Sequence, residues 1–158
     1  MVSKLLNTSR TVLHVDDDPD MLQLVAKYLS ADFQVHSIAD PTKAIDHLAR
    51  TGCRLVILDI QMGEYNGLDL LRTIKRLDGG ILVVMLTGLV SLESVLVSMR
   101  DGAEACLFKP VNNSDELITT MEQCADKVAR WHRSVNELLV RRASESCKAE
   151  LQLANANY

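Results

Sequence analysis

The chain has 158 residues, 47% of them hydrophobic and 24% charged, with a formal net charge of −4. That apolar content suffices for one packed domain with an appendage and excludes the disordered class. The acidic balance excludes a general electrostatic footprint for nucleic acid, and no apolar run approaches the length that would span or insert into a membrane.

The four cysteines, Cys53, Cys106, Cys124 and Cys147, are scattered without a CxxC pair or a metal-binding spacing. This predicts free thiols in a reducing compartment. The opening MVSKLLNTSR lacks the apolar core of a signal peptide, so the expected location is cytoplasmic.

Residues 11–16, TVLHVD, are a short apolar strand running into three consecutive acids, Asp16, Asp17 and Asp18. His14, inside it, is expected in or near the core and satisfied locally. Asp18 before Pro19 is a helix start: the carboxylate caps a first-turn amide, and proline has no N–H to lose there. Asp18 is therefore read as a cap rather than a metal ligand. Met21, Leu22, Val25, Tyr28 and Leu29 mark the apolar face of the helix. Residues 33–38 form a second strand. Asp40 and Pro41 repeat the start signal, with Ala44, Ile45 and Leu48 on one face and Gly52 as the stop.

Residues 55–59, LVILD, are an uninterrupted apolar run ending in Asp59, which reads as a central strand buried on both faces. After a glycine-punctuated loop, Leu68, Leu70, Leu71 and Ile74 outline a helix that ends near Gly79 and Gly80. Residues 81–86, ILVVML, are a second such run, ending at Thr87 and Gly88. A helix over 91–100 stops at Gly102, a short strand over 105–108 leads to Lys109 and Pro110, and Ser114 opens the last helix. The alternation predicts an α/β fold, doubly wound around a five-stranded parallel sheet.

The last helix carries Leu117, Met121, Cys124, Val128, Trp131, Val135 and Leu138 at alternating spacings of four and three. That is a heptad pattern, with Val128 and Val135 in a-type positions and Cys124, Trp131 and Leu138 in d-type positions. Beyond about residue 128 no sheet remains for the helix to cover, so the stripe predicts a partner. Arg142 breaks the pattern, and LQLANANY reads as a fraying tail. The fourth helix has more apolar residues than one buried face requires (Val90, Leu92, Val95, Leu96, Val97 and Met99), and Val97 is expected to point outward. Helix four, strand five, helix five and the extension together predict a homodimer surface, with Trp131 as a candidate aromatic anchor.

Asp16 and Asp17, Asp59, Thr87 and Lys109 follow four different strands. In open α/β sheets that edge is where ligands collect. A lone carboxylate there can be a metal ligand, a nucleophile or a cap. Three of them together would repel unless a cation were present, and an all-oxygen set suits Mg²⁺. A lysine and a hydroxyl beside them suit a phosphoryl group. Asp59 would then be the nucleophile, Mg²⁺ and Lys109 would neutralise the phosphoryl oxygens, and Thr87 would donate a hydrogen bond.

The motifs VLHVDDD, LVILDIQM, VMLTG and LFKP, in this order over about residues 10–127, resemble the receiver domain of two-component response regulators. The resemblance implies a flavodoxin-like strand order 2-1-3-4-5, with a receiver domain over 10–127, a helical extension over 128–150 and flexible termini at 1–9 and 151–158. It implies that Asp59 accepts phosphoryl from the histidine of a sensor kinase or a phosphotransfer protein. Asp17 and Asp59 would bind the metal, with Asp16 acting through water and the Gln61 backbone carbonyl adding a ligand. Thr87 matches the switch hydroxyl, and Lys109 the lysine before a cis peptide to Pro110. The domain would catalyse its own phosphoryl transfer and autodephosphorylation, with no external small-molecule substrate.

The chain departs from the family pattern at Gly63, where proline is usual, and at Cys106, where the switch residue is aromatic. Gly63 is expected to loosen the loop after Asp59, and Cys106 to preclude the usual threonine–aromatic relay. Gln61 and Leu89 stand at positions that tune attack by water on the phosphoryl group.

The resulting expectation is a Mg²⁺-dependent phosphoacceptor switch acting through self-association or partner binding on an unknown effector, without direct nucleic-acid binding. The rival is a phosphorylation-independent dimerisation scaffold, whose mark would be a lost site residue. A haloacid-dehalogenase-like hydrolase would need an aspartate at Gln61. His132, on the outside of a long helix, lacks the acidic neighbour and four-helix bundle of a phosphorylated histidine and is rejected as one.

Overall fold

The two uninterrupted apolar runs become the centre of the sheet. A computed structural model describes residues 10–88 and 91–156, with side chains through residue 145. Strands β1 (Thr11–Val15), β2 (Gln34–Ile38), β3 (Leu55–Leu58), β4 (Leu82–Thr87) and β5 (Ala105–Phe108) form one parallel sheet in the order 2-1-3-4-5. Every residue of β3 and β4 is buried, while the edge strands β2 and β5 are only partly covered. The order follows from the pattern. A strand apolar at every position needs helices on both faces, which only an interior place in the sheet supplies.

Helices α1 (Pro19–Leu29) and α5 (Ser114–Ala156) cover one face, packing Val25, Leu29, Leu117 and Met121 on Val12, Ile57, Val84 and Leu86. Helices α2 (Ala44–Thr51) and α3 (Gly67–Leu77), with α4 (Leu92–Arg100) beside them, cover the other. There Leu48, Leu71 and Ile74 meet Leu13, Val56, Leu58 and Met85. Successive strand residues thus feed opposite cores, as a period of two requires. Leu117 and Met121 are fully buried, and each such side chain holds α5 to the sheet by about 1.5–3 kcal/mol.

The capping signals act as read. The Asp18 carboxylate accepts from the Asp20 amide at 2.9 Å, and Asp40 accepts from the Thr42 amide at 3.0 Å. Asp40 opens a short 3-10 turn, Pro41–Lys43, before α2 begins. Gly52 closes α2 with φ 68°, its N–H donating to the Leu48 carbonyl at 2.9 Å.

Three details differ from expectation. Val97 does not point outward: it is half-buried and packs on the α2–α3 side of the core, while Leu92, Leu96 and Met99 are the exposed residues of α4. The inward position beside Val97 belongs to Ser98, whose hydroxyl donates to the Ser94 carbonyl at 2.7 Å and so can be buried. Val90 lies outside the described residues. His132 is half-buried rather than solvent-facing, lining with Trp131, Val135 and Lys127 a groove of about 690 Å³ away from the acidic cluster.

The helix α5 runs through the expected extension and on to Ala156, into the tail expected to fray. Its 43 residues contain no glycine or proline, and runs such as ELLVRRASES and CKAELQLANA are rich in strong helix formers. At 1.5 Å per residue it is about 65 Å long. Full burial ends at Val128; beyond it Trp131 is 68% exposed, Leu138 63% and Val140 68%, so the distal turns leave most of their apolar surface uncovered. Cys53, Cys106 and Cys124 are free thiols. Among the described residues no helix is long and apolar enough to cross a membrane.

Candidate functional site

Asp16, Asp59, Thr87 and Lys109 sit where β1, β3, β4 and β5 end, and the sheet itself fixes the backbone of each. The Asp16 amide donates to Ile38 at 3.2 Å, the Asp59 amide to Val15 at 3.1 Å, and the Lys109 amide to Thr87 at 2.8 Å. The parallel ladder therefore runs slightly past the strands and sets these residues side by side. Asp16 and Thr87 are wholly buried and Asp59 nearly so, while Asp17 is exposed at the mouth.

One carboxylate oxygen each from Asp16, Asp17 and Asp59 lies within 4.8 Å of the others. The Lys109 ammonium spans the cluster, 2.8 Å from Asp16 Oδ2 and 3.2 Å from Asp59 Oδ2. The other oxygens are held by main chain: the Asp18 amide donates to Asp16 Oδ1 at 3.0 Å and the Ile60 amide to Asp59 Oδ1 at 2.8 Å. The peptide bond from Lys109 to Pro110 is cis.

The electrostatics separate the two buried acids. Burial pushes the Asp59 carboxyl above the usual range and the Asp16 charge adds to the push, against Lys109 and the Ile60 amide. Burial would raise Asp16 as well, but its partners outweigh it and hold the group below the usual range. His14 is among the groups facing Asp16, yet its Nε2 stands 3.8 Å from Oδ2, too far for a hydrogen bond. Lys109 and the Asp18 amide carry the lowering. Lys109 loses by burial but gains more from Asp16 and Asp59, so its ammonium form is favoured.

This donor set fits Mg²⁺. Three carboxylates, all oxygen and clustered, face one lysine, and the acid at the centre is held less readily as an anion than an ordinary aspartate. A hard cation at the cluster relieves both the mutual repulsion and the burial. The Asp16, Asp17 and Asp59 cluster is of the kind that coordinates Mg²⁺ in receiver domains.

The loop after Asp59 is a small hairpin, Gln61–Met62 paired antiparallel with Tyr65–Asn66. Gly63 has φ 58° and, among the described residues, no non-glycine has a positive φ, so of the two central residues Gly63 alone is left-handed, as in a type II′ turn. The departure from the family's usual proline is thus a rebuilt turn. Proline cannot adopt that φ. Met62 and Ile60 are buried under the loop and hold it down.

Sequence reasoning missed Gly67. Its amide donates to the Ile60 carbonyl at 2.7 Å, and a Cβ there would lie 1.9 Å from the Asp59 carbonyl oxygen. Only its place in the glycine-punctuated loop hinted at this. It missed also that His14 is buried with neither ring nitrogen hydrogen-bonded, contrary to the expectation of local satisfaction. Cys106 is half-buried beside the α2–α3 core, and burial pushes its thiol up. The Gln61 side chain is exposed, and Leu89 lies outside the described residues.

Comparison with known proteins gives a consistent picture. A family model described as the response regulator receiver domain matches residues 12–122. The nitrogen assimilation regulatory protein NtrX of Azorhizobium caulinodans is 33% identical over 80% of this chain, which covers 28% of that protein. The C4-dicarboxylate transport transcriptional regulatory protein DctD of Rhizobium meliloti is 30% identical over 94% of this chain, covering 32% of that protein. The chain thus spans about a third of the length of these relatives. A crystal structure of a CheY-like receiver domain protein from Methanospirillum hungatei superposes with a TM-score of 0.72 at 27% identity, over 77% of this chain and 97% of that one. With the matched region spanning the sheet and its acidic cluster, the chain belongs to the response regulator receiver domain family.

Proposed function

We propose that the chain is the phosphoacceptor switch of a two-component pathway, taking a phosphoryl group on Asp59 from the phosphohistidine of a sensor kinase or phosphotransfer protein. The observation that carries this reading is Lys109 bridging Asp16 Oδ2 and Asp59 Oδ2 beside three clustered carboxylates. An Asp59 oxygen attacks phosphorus, the P–N bond to the donor imidazole breaks, and the imidazole leaves with the electron pair and takes up a proton. Mg²⁺ bound by Asp17, Asp59 and the Gln61 carbonyl, with Asp16 acting through water, would supply charge neutralisation to the phosphoryl oxygens. Lys109 neutralises another face of the same group, and the Thr87 hydroxyl donates to it. Autodephosphorylation is the same site acting on water as the incoming nucleophile.

Output proceeds through association of two copies. The exposed apolar residues Leu92, Leu96 and Met99 on α4 and Phe108 on β5 support this, as does the uncovered stripe of α5. The distal α5 turns serve as a coiled-coil arm past the receiver domain proper. The reading with dimerisation alone and no phosphorylation draws on the same stripe, but it leaves the intact acid, lysine and threonine set without a use.

Molar mass by light scattering tests both parts, with Mg²⁺ alone and with Mg²⁺ plus beryllofluoride. A monomer that dimerises only with the phosphoryl mimic, and not as Asp59→Ala, is the expected result. A dimer of constant mass under all conditions favours the scaffold. A monomer throughout removes the association surface and leaves a heterologous partner.

A further inference from the structure

His14 is a buried polar side chain that the phosphoryl-transfer chemistry above does not use. It lies in β1 with no exposed surface, and neither Nδ1 nor Nε2 has a hydrogen-bond partner. Its sheet neighbours are Ser37 on β2 and Ile57 on β3, and it shares a strand face with Val12 and Asp16. A ring in this place is costly unless some state of the protein gives it a partner.

Asp16 Oδ2 stands 3.8 Å from its Nε2. That distance is about 0.6 Å beyond hydrogen-bond reach. The same oxygen is occupied by the Lys109 ammonium at 2.8 Å. Asp16 is pinned at its other oxygen by the Asp18 amide, so a small rotation about Oδ1 swings Oδ2 between lysine and imidazole. A phosphoryl group on Asp59 brings further anionic oxygens to the one lysine that already contacts Asp59, and these compete with Asp16 for it.

Resting on the phosphoacceptor reading, we propose that His14 is a positioning residue: its imidazole, donating from Nε2, takes over Asp16 Oδ2 when Lys109 turns to the phosphoryl group on Asp59. The side chain is unsatisfied in the unloaded state and satisfied in the loaded one. It therefore favours the loaded state without touching phosphorus or metal. The effect is the exchange of one donor for another on a single carboxylate oxygen.

The test compares wild type with His14→Val, which suits an apolar strand, and His14→Gln, whose amide N–H₂ reaches about as far as Nε2. Beryllofluoride affinity is titrated in Mg²⁺ at constant pH, with urea stability of the unloaded proteins measured alongside. His14→Val is expected to bind beryllofluoride about tenfold more weakly, His14→Gln to recover most of the loss, and the unloaded Val variant to be no less stable than wild type. In wild type, beryllofluoride should shift the His14 Nε2 proton resonance downfield and slow its exchange. A merely structural histidine would instead lower unloaded stability and affinity together. Equal beryllofluoride affinity in all three proteins, or an imidazole spectrum unmoved by beryllofluoride, overturns the proposal while leaving the phosphoacceptor reading standing. A wild type that binds no beryllofluoride overturns that reading and this proposal with it. Should His14→Val fail to fold, the wild-type imidazole spectrum and the Gln variant decide alone.

Discussion

A side chain on Gly67 would collide with the backbone of Asp59: the missing Cβ would lie 1.9 Å from the Asp59 carbonyl oxygen and 2.9 Å from the carbonyl carbon. Both atoms are main chain, so no rotamer change relieves the contact. The start of α3 and the end of β3 are therefore packed through a glycine, with the Gly67 amide also bonded to the Ile60 carbonyl at 2.7 Å. Gly67→Ala is expected to cost more than about 4 kcal/mol, the range reserved for named steric failures. Urea unfolding measures it. A variant within 1 kcal/mol of wild type that still binds beryllofluoride would mean that β3 and α3 can separate freely, against this account.

The acidic cluster is built for a ligand at the expense of the empty fold. Burial and then the Asp16 charge hold the Asp59 carboxyl above its usual range despite Lys109. A carboxyl raised on folding stabilises the fold fully below its unfolded pKa, and that contribution is lost as pH rises through the folded value. At neutral pH without metal, Asp59→Asn should thus raise stability, by about 1 kcal/mol on the scale of ordinary point substitutions. Mg²⁺ should reverse the order, since at a hundredfold excess over Kd a ligand specific to the native state adds about 2.7 kcal/mol. Thermal melts with and without Mg²⁺ are the check; a wild type unmoved by Mg²⁺ refutes the assignment of the cluster.

Much of this was legible in the sequence because the fold is encoded by long-range regularities. LVIL and LVVML have no polar break, which leaves them only the sheet interior, and the residues after them then converge at one edge. Asp18 and Asp40 were legible as caps because a carboxylate before proline has few other uses at a helix start. What escaped depends on geometry that no spacing carries. Whether α4 buries Val97 or exposes it turns on a rotation of the helix by less than one residue's angle, and Ser98 settled it by satisfying its own hydroxyl within the helix. Gly67 looks like any loop glycine until the Asp59 carbonyl is placed against it. The continuation of α5 past residue 150 to Ala156 follows from helix propensity, which a heptad reading does not weigh.

His36 on β2 and His47 on α2 face one another with ring centroids 5.2 Å apart. Burial, then the charge of His36 and of Arg50, lowers the His47 pKa, with Asp46 opposing. A histidine depressed on folding contributes stability above its unfolded pKa of about 6.5, and that stability is lost as pH falls through the folded value. Stability should therefore drop below about pH 6.5 with a steeper slope in wild type than in His47→Gln. Urea midpoints across that window measure the difference. Parallel slopes in the two proteins would show that the pair does not sense protons.

Gly63 gives a prediction that runs against the family pattern. Its φ of 58° places it in the left-handed region at the first central position of the hairpin turn. The nearest atom to an added Cβ is Asp17 Oδ2 at 3.9 Å, an ordinary contact, so Gly63→Ala meets no obstacle and pays only the left-handed penalty of about 1–2 kcal/mol. Gly63→Pro is different in kind, because the ring locks φ near −65° and the hairpin cannot form around it. Restoring the family's usual residue should thus destabilise the protein by more than the alanine change does. It should also displace the Gln61–Met62 strand beside Asp59, so that Mg²⁺ affinity falls together with stability. Paired urea titrations and Mg²⁺ binding on the two variants decide it. A proline variant as stable as wild type would require the loop to have a second conformation of equal energy, in which Gly63 is no longer left-handed.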